Sequence, residues 1–142
     1  MNGHFPHQYR MSLTVAEHSA RHVRRIARTL LREWGVPELT EAVELGTTEL
    51  IANVVRHVQD RHCTVVIARQ PTGARVEVTD SSPQLPAPPS EFPLDSENGR
   101  GLLILESAAD KWGVDVRPEG GKTVWFECAS PPSRPDPDRG TC

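Results

Sequence analysis

The chain has 142 residues, of which 37% are hydrophobic and 25% charged, with a formal net charge of −3. That is enough for one domain around a single core, and it gives no overall basis for holding a polyanion. No apolar run approaches the roughly 18–20 residues that cross a bilayer, and the first twelve residues lack the apolar centre of a secretion signal, so a cytoplasmic protein with no membrane association is expected.

Cys63, Cys128 and Cys142 are odd in number and form no CxxC pair, which argues against a disulfide framework and a structural zinc site. In chain order, residues 1–12 show no hydrophobic period and read as a flexible N-terminal arm ahead of a domain over 13–129. Thr14 and Glu17 have the spacing of a capping box. Val15, Val23, Ile26, Leu30 and Trp34 then recur at helical intervals until Gly35 and Pro37 stop the helix. Its other side carries Arg21, Arg24, Arg25, Arg28 and Arg32 as a continuous basic stripe. Such a stripe is commonly a solvated face. The sharper reading makes Arg21, Arg24, Arg25 and Arg28 a docking surface for an acidic protein. Direct nucleic-acid binding is disfavoured, because no aromatic or amide side chains accompany the arginines.

A second helix is expected from about Glu38 to His57, with Leu39, Val43, Leu50, Val54 and Val58 as its apolar stripe and Gly46 tolerated inside it. A hairpin follows, Cys63–Arg69 and Ala74–Thr79 around Pro71-Thr72-Gly73. Residues 81–98 form a long Pro-rich loop of the kind that often serves as a lid. Residues 101–108 read as a short apolar helix. Trp112–Arg117 and Thr123–Cys128 form a last hairpin, and 130–142 a disordered Pro-rich tail. Helices and strands in separate blocks imply an α+β fold: a two-layer sandwich with a mostly antiparallel sheet and helices on one face.

Four stretches could carry chemistry. Glu49, Asn53 and His57 stand at i, i+4 and i+8 and share one helical face. An amide oxygen is a hard, neutral metal ligand, and a carboxylate one turn away can accept a proton. Asp80 ends an alternating strand, where its carboxylate could accept an exocyclic amine. Gly99-Arg100-Gly101-Leu102 opens a helix, where free amides favour a phosphate. Thr123 opens the last strand after Gly121-Lys122, and its hydroxyl could bond a base or a bound water. Taken singly, each has an ordinary structural reading.

Their order and spacing resemble the N, G1, G2 and G3 boxes of the GHKL ATPases, and the E-L-x-x-N-x-x-x-H form resembles the anti-sigma-factor serine/threonine kinase branch. The resemblance covers about residues 10–128. It implies ATP and Mg²⁺ as cofactors, Glu49 as general base and Asn53 as magnesium ligand. His57 falls in the same ATP-binding box. Asp80 would hold the adenine amine, Gly99, Arg100, Gly101 and Leu102 the phosphates, and Thr123 the adenine side, with 81–98 as the ATP lid. It further implies a sigma factor and an anti-sigma-factor antagonist as partners, and it is compatible with a homodimer. Two positions depart from the family: Ser82 stands where Asp-x-Gly has its glycine, and Glu97 stands ahead of the first lid glycine, where a basic residue is usual. They support an alternative, a non-catalytic regulator that sequesters a protein partner.

Overall fold

The computed structural model describes residues 6–82 and 105–130. The elements are β1 (Gln8–Thr14), α1 (Ser19–Glu33), a 3-10 turn (Pro37–Leu39), α2 (Thr40–His57), β2 (His62–Gln70), β3 (Gly73–Asp80), β4 (Lys111–Val116) and β5 (Lys122–Ala129). Residues 105–108 are also helical, while residues 83–98 of the lid, the phosphate loop at 99–102 and residues 131–142 of the tail lie outside the described residues. The five strands form one sheet in the order β1-β2-β3-β5-β4, and every neighbouring pair is antiparallel. The α+β two-layer sandwich expected from the sequence is the architecture found.

Alternation decides which side of the sheet is covered. Cys63, Val65 and Ile67 of β2, Ala74, Val76 and Val78 of β3, and Val124, Phe126 and Cys128 of β5 are all buried. They meet Val23, Ala27, Leu30 and Leu31 of α1 and Val43, Leu50, Ile51 and Val54 of α2 in a single core. The opposite face is polar. There Arg75 bonds Glu77 at 2.8 Å and Glu127 at 2.7 Å and lies 4.1 Å from the centre of the Trp125 ring. The Arg75 hydrogen bond, with help from Gln70, holds the Glu127 carboxyl below its ordinary range.

Two expectations change. Residues 8–12 belong to β1, not to a loose arm: Met11 lies opposite Val65 and Leu13 opposite Cys63. The indole N–H of Trp34 donates to the Pro6 carbonyl at 2.8 Å and helps hold the strand start. An edge strand with only Met11 and Leu13 turned inward shows too short a period to be read alone; its pairing with β2 makes it a strand. The capping box does not form either. Thr14 ends β1, Val15 N–H donates to the Arg61 carbonyl at 2.7 Å, and α1 begins at Ser19, whose hydroxyl accepts the Ala16 N–H at 2.9 Å. Sheet pairing thus carries the chain past the point where local capping would start the helix.

Gly46 is required where α2 crosses the sheet. A Cβ there would stand 2.6 Å from Cζ of Phe126, a ring with no exposed surface. Gly46→Ala gains about 1 kcal/mol of helix propensity against about 1–3 kcal/mol for overpacking a filled core. A net loss of about 1 kcal/mol in urea unfolding is expected, recovered when Phe126→Leu is added. A stabilised single variant would show that the ring yields freely.

Candidate functional site

The buried arc of α2 contains Val43, Gly46, Thr47, Leu50, Ile51 and Val54. At 3.6 residues per turn, Glu49, Asn53 and His57 lie along one border of that arc, and Glu44 and Thr48 lie along the other. All three of the first set are half-buried. The Asn53 side-chain oxygen accepts a hydrogen bond from an Arg56 guanidinium N–H at 3.0 Å, which orients the amide. Glu49 forms no hydrogen bond or ion pair with a described residue. The helix therefore presents an oriented amide oxygen and a carboxylate one turn apart, on a helix anchored by its apolar side. Oxygen donors of this kind suit a magnesium–nucleotide pair.

Asp80 ends β3 on the core side of the sheet and lies opposite Lys122, the first residue of β5. The Lys122 ammonium donates to both carboxylate oxygens, at 2.9 and 3.0 Å, and the two side chains are only 7% and 5% exposed. The Ser82 amide also donates to Oδ1 of Asp80, at 2.9 Å. Gly121 makes the approach feasible. Its φ is +86°, and a Cβ there would fall 2.1 Å from the Asp80 carbonyl oxygen, so no other residue could lead into β5 at this depth. Cys63, paired with Asp80 on the other side, has its thiol pushed up to about 11 by burial and then by the Asp80 charge.

This register corrects the expectation for Thr123. Its hydroxyl bonds Thr79 at 2.7 Å on the polar face of the sheet, away from Asp80. The side chain that shares the Asp80 side is Lys122, which the sequence reading passed over. The signal was present: Lys122 is in phase with Val124, Phe126 and Cys128, so a lysine stood in the apolar register of a strand. Gly99, Arg100, Gly101 and Leu102 lie outside the described residues.

The basic stripe divides. Arg28 grips the Glu44 carboxylate with two hydrogen bonds, at 2.9 and 3.1 Å, and Arg24 donates to the Thr48 hydroxyl at 3.0 Å. These two tie α1 to α2, and the hydrogen bond to Glu44 raises the pKa of Arg28. Arg21 and Arg25 are exposed. Arg21 borders an open groove of about 320 Å³ between the helices, floored by Ile51, Ala52 and Val55 and edged by Arg56.

Residues 13–128 match the model of the histidine kinase-like ATPase domain. The chain belongs to that family, a GHKL-type ATPase domain. It is 38% identical over 73 residues to an uncharacterised protein of Streptomyces coelicolor, an alignment covering 49% of this chain and 70% of that one. A chain in the crystal structure of the SiaB–SiaC complex from Pseudomonas aeruginosa shares the fold, with a TM-score of 0.66 at 12% identity over 84% of this chain and 88% of that one. Among the described residues, no helix is long and apolar enough to cross a membrane.

Removing one partner of a buried ion pair strands the other charge and costs about 3–5 kcal/mol, whereas an apolar replacement of both can be neutral. Lys122→Met alone is therefore expected to lower stability by that amount in urea unfolding, and adding Asp80→Leu to recover most of it. A double-variant loss equal to the sum of the Lys122→Met and Asp80→Leu losses would mean that the pair is not coupled.

Proposed function

We propose that this chain is an ATP-binding regulator that acts through protein partners in the manner of anti-sigma-factor serine/threonine kinases. The observation that carries the proposal is the Glu49–Asn53 pair on the half-buried border of α2, within a chain of the histidine kinase-like ATPase family. Asn53 would hold Mg²⁺ through its side-chain oxygen, and His57, one turn on, would close the same border. Glu49 would take the proton of an incoming serine or threonine hydroxyl. When bound, ATP with Mg²⁺ supplies the phosphoryl group and the charge neutralisation that in-line transfer needs. Gly99, Arg100, Gly101 and Leu102 would surround the phosphates, with residues 81–98 as the lid. The acceptor would be an anti-sigma-factor antagonist, and the second partner a sigma factor. A solved relative in fold was crystallised in a complex of two proteins, which supports partner binding as the mode of action.

The engagement of Asp80 by Lys122 favours a second reading, a regulator that binds a partner without transferring phosphate. The two readings separate on one residue. Glu49→Ala is expected to abolish label transfer from radiolabelled ATP to a partner's serine while leaving ATP binding within a few fold. Reproducible transfer by the wild type eliminates the second reading, and transfer undiminished by Glu49→Ala removes that residue from the mechanism. Calorimetric titration with ATP and Mg²⁺ is expected to show magnesium-dependent binding that Asn53→Ala weakens at least tenfold.

For partner docking, Arg21 and Arg25 are the informative positions, because reversing Arg24 or Arg28 would also set a carboxylate against Glu44 and part the helices. Arg21→Glu with Arg25→Glu is expected to weaken binding of an acidic partner at least tenfold while leaving the melting temperature and ATP affinity unchanged. Unaltered partner affinity would return the stripe to an ordinary solvated face.

A further inference from the structure

We infer that Lys122 determines base specificity, turning the Asp80 end of the site from an acceptor of the adenine amine into a donor suited to a purine with an oxo group at the same position. The inference rests on the proposal that a purine nucleotide binds with its base against Asp80. Both Asp80 oxygens are already bonded by the Lys122 ammonium, at 2.9 and 3.0 Å, and Oδ1 also receives the Ser82 amide at 2.9 Å. That leaves an incoming neutral amine only the second lone pair of Oδ2, on a carboxylate whose charge the Lys122 ammonium already compensates. Any turn of the carboxylate towards that amine would draw it away from the ammonium, in a pair that is nine-tenths buried.

The lysine has little freedom to leave. Its backbone is pinned by the Asp80–Lys122 register and by the close approach of Gly121 to the Asp80 carbonyl. An ammonium carries three N–H donors, and the carboxylate takes two of them. Among the described residues none accepts the third. Adenine offers an amine at its six-position, which would set donor against donor. A six-oxo purine offers a carbonyl oxygen, which accepts that N–H without disturbing the Asp80–Lys122 pair.

The experiment compares ATP with inosine triphosphate, whose base carries the oxo group, both with Mg²⁺, by calorimetric titration of the wild-type chain. Inosine triphosphate is expected to bind at least as tightly as ATP, and Lys122→Met to shift the ratio of affinities at least tenfold towards ATP. A wild-type preference for ATP overturns the inference while leaving nucleotide binding intact, and so does an unchanged ratio in the variant. If Lys122→Met does not fold, as judged by circular dichroism, the wild-type ratio decides alone. Binding of neither nucleotide to folded wild type overturns the proposed nucleotide function, and this inference with it.

Discussion

The depth at which α2 lies on the sheet depends on one contact, the Phe126 ring beneath Gly46. A side chain at position 46 would lift the helix, because the ring is wholly buried and has nowhere to turn. With α2 held at that depth, its apolar residues are consumed by the core and its two borders are left at the surface of the domain. One border presents Glu49, Asn53 and His57; the other meets α1 through Glu44 and Thr48. A single helix thus separates the proposed phosphate chemistry from the helix–helix seam where a partner could dock.

The second constraint lies at the end of the sheet where β3 stops. Burying a carboxylate there costs several kcal/mol unless a counterion accompanies it, and β5 supplies one directly opposite. The result is a neutral, hydrogen-bonded pair rather than an open acceptor. In the proposed nucleotide site, charge compensation and recognition of the base would therefore compete for the same two oxygens. The polar side of the sheet follows a different logic. Arg75, Glu77 and Glu127 are partly solvated and satisfy one another across strands, which organises the face without burying a charge.

Much of the fold was legible without coordinates because its information is local. The β2–β3 hairpin follows from β-branched alternation broken at Pro71-Thr72, and the last hairpin from the glycine pair at 120–121, both of which have positive φ. The stripe of α2 follows from residues recurring at helical spacing. By contrast, β1 and the true start of α1 were not legible. An edge strand becomes a strand by pairing with a distant segment, and here that pairing also overrode a local capping signal.

By itself the sequence determined the α+β class, the antiparallel hairpins and the placing of Glu49, Asn53 and His57 on one helical border, because periodicity and turn chemistry act over a few residues. Only the tertiary structure decided that Asp80 faces Lys122 and not Thr123, that Gly46 is the space for Phe126, and that Arg24 and Arg28 are spent on α2. Each of these depends on strand register or helix docking between residues far apart in the chain, and a shift of one residue in register would exchange the two faces of β5.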